Sequence, residues 1–124
     1  MTERDLSIVE AEYQRGLELA RDGSYFEAHE AFETAWRASA DDERDFFQGL
    51  VHVVVSAYQR GRGRPVAAER QRLKAIRRLT PFVPAHRGLD VAALLADLEG
   101  AEPDVRQRLV QAIAEPRITV EEEK

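Results

Sequence analysis

His29 and Glu33 stand four residues apart in the stretch Ala28-His29-Glu30-Ala31-Phe32-Glu33-Thr34-Ala35-Trp36. On a helix they share one face a turn apart, and Trp36 extends that face. An imidazole and a carboxylate so placed can bridge a metal ion. The order His29-Glu30-x-x-Glu33 has the outline of the His-Glu-x-x-His helix of zinc hydrolases, in which two histidines hold the metal and the glutamate between them acts as general base. Here Glu33 takes the place of the second histidine, Glu30 would be the base, and a third ligand would come from His52, His86 or a carboxylate on another helix. The Glu-x-x-His spacing of di-iron bundles is absent, because position 26 is Phe.

The same residues also suit a non-catalytic role. Gln48, His52, Ser56 and Gln59 recur at helical spacing and make one narrow polar stripe on an otherwise apolar segment. If that stripe faced His29 and Glu33, buried polar groups would meet partners, as the cost of an unpaired buried donor or charge demands. Such a network could be a filled core or could line a pocket for a small polar ligand. Tyr13 and Tyr58 offer hydroxyls to it or serve as plain core aromatics, and Trp36 reads as a core or hairpin anchor or, as part of the pocket, a stacking platform for a ligand. Glu30 lies about 100° around the helix from His29, which groups it with Thr34 and Arg37 on a face expected to be exposed. Ser7, Ser24, Ser39 and Ser56 lack the Gly-x-Ser-x-Gly setting of a hydrolase nucleophile.

Charge is distributed unevenly. From Arg60 to Arg87 nine Lys or Arg face a single acid, Glu69, giving that segment +8 and the rest of the chain −13 within a net charge of −5. Arg60, Arg62 and Arg64 alternate with Gly61 and Gly63 just before a predicted helix start, where free backbone amides favour an anion such as a phosphate-bearing ligand. No aromatic residue interleaves with the cations from Pro65 to Pro81, so a base-stacking platform is unsupported and nucleic acid is not the expected partner. Opposed charges instead suit pairing within the molecule, with a protein partner or in a homo-oligomer.

The elements that must position these residues read as helices almost throughout, and no stretch alternates long enough to argue for a sheet. Leu6, Val9, Tyr13, Leu17 and Ala20 form one stripe of a first helix that Asp22-Gly23 stops. Ser24 and Glu27 have the spacing of a capping box that opens a second helix ending near Ala38. After Asp41-Asp42-Glu43 a third helix runs to about Arg60, apolar around most of its circumference and therefore central. Its valine run has low helix propensity, which makes a strand the competing local reading. Pro65 opens a fourth helix that Thr80-Pro81 ends. A connector over 81–89 returns Phe82 and Val83 to the core, Asp90 caps a short helix to Leu98, and a last helix spans Pro103 to the residue before Pro116. The fold class is thus all-α: a compact single-domain bundle of five to six helices, with an N-terminal antiparallel hairpin packed on a buried third helix.

At 124 residues the chain supports one domain, expected over 1–116, with an acidic and flexible tail over 117–124. The absence of cysteine excludes disulfide frameworks, thiolate metal sites and a thiol nucleophile, and points to a reducing, cytoplasmic setting. The longest apolar stretch, Phe46 to Tyr58, is broken by Gln48 and His52 and too short to span a bilayer.

Tyr25-Phe26-Glu27-Ala28-His29-Glu30-Ala31-Phe32-Glu33-Thr34-Ala35-Trp36, followed by Phe47-Gln48-Gly49-Leu50-Val51-His52 and a Gly/Arg-rich turn, resembles the small helical family known as domain-of-unknown-function family 309. The resemblance covers roughly residues 10–98, including Gly88-Leu89-Asp90-Val91, and implies a compact multi-helical fold with no established activity. His52 departs from the amide side chain the family often places there. The sequence therefore leads to a helical binding or interaction module without a cofactor, built on a His29/Glu33 network or pocket. A metal-dependent hydrolase using His29, Glu33 and His52 is the first alternative, and anion binding at Arg60, Arg62 and Arg64 the second.

Overall fold

A computed structural model describes residues 2–100 together with Val105, Arg108 and Leu109. Helix α1 covers Glu3–Arg21 and opens with a capping box between Thr2 and Asp5, three residues earlier than the apolar stripe suggests. Leu6, in the first turn of the helix, is exposed although it shares the face of Val9, Tyr13, Leu17 and Ala20, which are buried. Gly23 at φ 83° turns the chain, and the Ser24 amide donates back to the Leu19 carbonyl at 2.9 Å, so the helix stops where the sequence predicts.

Helix α2, Tyr25–Ala38, starts after Ser24, but the Ser24 side chain makes no cap hydrogen bond. The expected capping box with Glu27 is not formed. Ser24 sits at φ −86°, ψ 68°, away from the extended backbone that aims an N-cap hydroxyl at the first free amides. Asp41–Glu43 form a 3-10 turn before α3, Arg44–Gly61. Helix α4 is Pro65–Leu79, with proline in its first turn, where the missing N–H costs nothing. After a 3-10 turn over Thr80–Phe82, a two-residue antiparallel ribbon pairs β1, Ala85–His86, with β2, Leu89–Asp90. The connector expected to be irregular thus contains a small ribbon. Phe82 packs against the core as expected, whereas Val83 is exposed. Asp90 accepts a hydrogen bond from the Ala93 amide at 2.9 Å and caps α5, Val91–Leu98.

The helices pack in chain order: α1 on α2, α2 on α3, α3 on α4, with α5 against α4. The N-terminal hairpin therefore rests on a third helix flanked on two sides. Phe46, Phe47, Leu50, Val53 and Val54 of α3 are essentially solvent-free, each gaining about 1.5–3 kcal/mol from burial. That outweighs the roughly 0.5 kcal/mol per valine lost to poor helix propensity, and the strand alternative is displaced. Val105, Arg108 and Leu109 are helical, with Val105 and Leu109 buried. The rest of the helix expected from Pro103, the domain limit at 116 and the tail over 117–124 lie outside the described residues.

Two glycines set how closely the helices approach. A Cβ on Gly16 would fall 2.4 Å from the Phe32 ring, and one on Gly49 would fall 2.6 Å from Leu79 Cγ. Gly16 thus lets α1 and α2 close on an aromatic ring, and Gly49 lets α3 and α4 close on a leucine. Gly49→Ala should lower stability by about 1–3 kcal/mol through overpacking. Gly61→Ala, with open space around its Cβ position, should not lower it. Denaturant unfolding of the two variants checks this, and equal stabilities would refute the close-approach role of Gly49.

Candidate functional site

The structure divides the residues that the sequence groups together. His29 Nε2 and Glu33 Oε2 are 3.3 Å apart with side chains 26% and 33% exposed, and Arg37 donates to Glu33 at 3.2 Å. This is a half-exposed pair along one helix. Glu30 is exposed on a different face, its carbonyl accepting the Thr34 hydroxyl at 3.1 Å.

The polar residues of α3 turn mostly the other way. His52 Nδ1 donates to Gln71 Oε1 of α4 at 2.7 Å, and Ser56 Oγ donates to the Ala68 carbonyl of α4 at 2.9 Å. Gln48 is half-buried. The expected joint network of His29, Glu33, Gln48, His52 and Ser56 does not form, because a helix flanked by α2 and α4 spends its polar stripe on α4. The metal set fails for the same reason: His52 is committed to Gln71, and among the described residues no group of three or more His, Cys, Asp or Glu is arranged to hold an ion. Burial, opposed by the Gln71 hydrogen bond and reinforced by the charges of Lys74, Arg78 and Arg77, holds the His52 imidazole below the usual histidine range.

Of the predicted cluster, His29, Tyr58 and Gln59 do come together, and they do so in a hollow. Tyr25, Phe26, His29, Val55, Tyr58 and Gln59 line a pocket of about 190 Å³ between the start of α2 and the end of α3. Phe26 is 50% exposed, and its ring lies 5.8 Å from both the His29 and the Tyr58 rings. Gln59, which also lines the pocket, has its Oε1 buried without a hydrogen-bond partner among the described residues. At the rim, Arg62 lies over the Tyr58 ring at 5.5 Å and donates to its hydroxyl at 3.1 Å. Tyr25, Phe26 and Val55 are not singled out by the sequence; the signal available was a phenylalanine three residues before His29 on the same helical face.

Trp36 packs at the core edge under Arg44, 4.9 Å from its ring, and takes no part in the pocket. Tyr13 is buried elsewhere, its hydroxyl donating to the Arg87 carbonyl at 2.9 Å. Arg60 and Arg64 are exposed, and Arg62 folds back on Tyr58, away from the start of α4.

A second cluster was not legible at all. Arg87 donates to Glu43 at 3.0 Å and Glu10 at 2.7 Å, and its guanidinium lies over Phe47 at 5.3 Å and Tyr13 at 5.8 Å. His86 bonds the same Glu43 oxygen at 3.0 Å and packs edge-on against Phe46. Burial pushes the Glu43 carboxyl up, but hydrogen bonds from His86 and Arg87 and their charges outweigh it and hold it below the usual carboxylate range. Glu43 therefore stabilises the fold above that range, and the contribution is lost as pH falls through its lowered value.

The half-exposed Glu33 should matter little to stability: Glu33→Ala is expected to cost about 0.5 kcal/mol or less. For His52 the sign runs opposite to a paired histidine. The unfolded chain protonates more readily than the folded one, so acid draws the equilibrium toward unfolding as pH falls through the ordinary histidine range. His52→Gln should therefore show a smaller drop in Tm between about pH 7 and about pH 5 than the unmodified chain. Identical drops would refute a desolvated, uncharged His52.

No curated protein and no solved structure matches the chain. The model of the family described as Domain of unknown function (DUF309) matches residues 13–71. That span runs from α1 into α4, holds the whole pocket together with His29, Glu33 and Trp36, and stops short of the Gly88-Leu89-Asp90-Val91 stretch that the wider resemblance includes. Over residues 13–71 the chain is thus similar to the DUF309 family.

Proposed function

We propose that the chain is a non-catalytic, cytoplasmic binding module whose site is the aromatic pocket between α2 and α3. The observation that carries this reading is the pocket itself: about 190 Å³, walled by a half-exposed phenylalanine and a tyrosine, with Gln59 among its lining residues. Its size decides the ligand class. Drug-sized molecules occupy sites of about 300–1,000 Å³, whereas a cavity of about 150 Å³ suffices for one benzene ring. The pocket thus fits one ring, from a small molecule or from a partner's side chain. Gln59 Oε1 is buried beside the pocket without a partner among the described residues, and an unsatisfied acceptor costs about 1–3 kcal/mol, so a ring bearing an N–H or O–H that the Gln59 side chain turns to meet gains most. The cysteine-free composition supports the compartment. The engagement of His29 with Glu33 and the outward position of Glu30 support a binding role over a hydrolytic one.

Titration of the labelled protein with indole and with p-cresol, followed by NMR, tests the proposal. Saturable shifts are expected at Phe26, His29, Tyr58 and Gln59, with benzene weaker because it offers no donor for Gln59 to turn toward. Tyr58→Ser should weaken indole binding by about tenfold, equivalent to about 1.4 kcal/mol, without changing the fold. Shifts that fail to saturate, or that map to another face, would overturn it.

A further inference from the structure

The outward face of α4 carries a second surface, independent of the pocket. Its inward face is taken by Ala68, Ala75 and Leu79. Opposite them Val66, Arg70, Leu73 and Arg77 follow one another at spacings of four, three and four residues, within an arc of about 60°. Val66 is 66% and Leu73 52% exposed. A single exposed aliphatic residue on a helix is ordinary; two of them in register with cations form a pattern.

The cations on that face have no use within the described fold. Arg72 is held by Glu69 and by the Leu98 carbonyl, Arg78 by Asp45, and Arg87 by Glu43 and Glu10. Arg70, Lys74 and Arg77 make no ion pair among the described residues. Arg70 with Lys74, and Lys74 with Arg77 and Arg78, are like-charge neighbours at helical spacing, each such pair destabilising an isolated helix. Glu69, the one acid between Arg60 and Arg87, is already engaged. This stretch of helix carries a repulsion that an external anion would relieve.

We infer that the outward face of α4 docks an acidic amphipathic segment of a partner protein, its aliphatic residues meeting Val66 and Leu73 and its carboxylates meeting Arg70, Lys74 and Arg77. Charge complementarity sets the sign of the partner, and the interleaved aliphatic residues set its kind. A nucleic acid would find no aromatic residue on this helix to stack its bases. An anionic bilayer would be brought against a chain whose remaining residues sum to −13.

The test is fluorescence anisotropy of a labelled helical peptide of about 18 residues, leucine at every third or fourth position and glutamate on the flanks, titrated with the full chain. A scrambled peptide of identical composition is the control. The expected result is saturable binding that weakens at least about tenfold on raising salt to about 0.5 M, is much weaker for the scrambled peptide, and falls in both Leu73→Ser and Arg70→Gln/Arg77→Gln variants with unchanged Tm. Four results would overturn the inference. These are no binding of the peptide, equal binding of the scrambled peptide, tighter binding to vesicles of equal parts phosphatidylcholine and phosphatidylserine or to duplex DNA, and self-association that Leu73→Ser abolishes.

Discussion

Arg87 ties together parts of the chain that local sequence keeps far apart. Its guanidinium reaches Glu10, 77 residues earlier on α1, and Glu43, 44 residues earlier in the turn before α3. Its carbonyl receives the Tyr13 hydroxyl, and its charge lies over the faces of Tyr13 and Phe47. The residue holds these contacts at φ 50°, a left-handed backbone that costs a non-glycine residue roughly 1–2 kcal/mol. Such a conformation persists where surrounding contacts over-determine it, and two carboxylates, two aromatic faces and a buried hydroxyl do so here. The clasp seats the ribbon and its connector on α1 and α3, which lets α5 close against α4.

Closure of the bundle decides what is left for function. Gly16 and Gly49 allow close approach in the α1/α2 and α3/α4 seams, each against one large side chain. The α2/α3 seam is not sealed at the end where Phe26 and Tyr58 meet, and there the pocket forms. The clasp and the pocket lie at opposite ends of α3: Glu43 immediately precedes its first residue, and Tyr58 and Gln59 lie in its last turns. The structure thus separates an ion-paired end from an end with half-exposed aromatic residues, and the binding role proposed here sits at the latter.

Helix positions were readable because they depend on local physics. Periodicity marked the buried faces of α1 and α3, Asp90 and Pro65 marked two helix starts, and Gly23 marked a stop. What failed was direction. Spacing puts Gln48, His52, Ser56 and Gln59 on one face of α3 but cannot tell which neighbouring helix that face meets. His52 and Ser56 went to α4, and His29 and Glu33 stayed on the surface of α2. The Ser24 capping box failed because its spacing was right and its backbone was not. The clasp was invisible because nothing local distinguishes Arg87 from the other cations of its segment; its role is fixed by partners 44 to 77 residues away.

The claim that a charged clasp holds the fold closed is tested most directly by a double-mutant cycle on Glu43 and Arg87, using Glu43→Gln, Arg87→Gln and the double variant, with unfolding free energies at neutral pH. Both side chains are 23% exposed and 3.0 Å apart. A coupling energy of about 1–3 kcal/mol is expected for a contacting, partly desolvated pair. Additivity of the two substitutions to within about 0.5 kcal/mol would contradict the account, and would mean that packing around Tyr13, Phe46 and Phe47 closes the bundle without the ion pair.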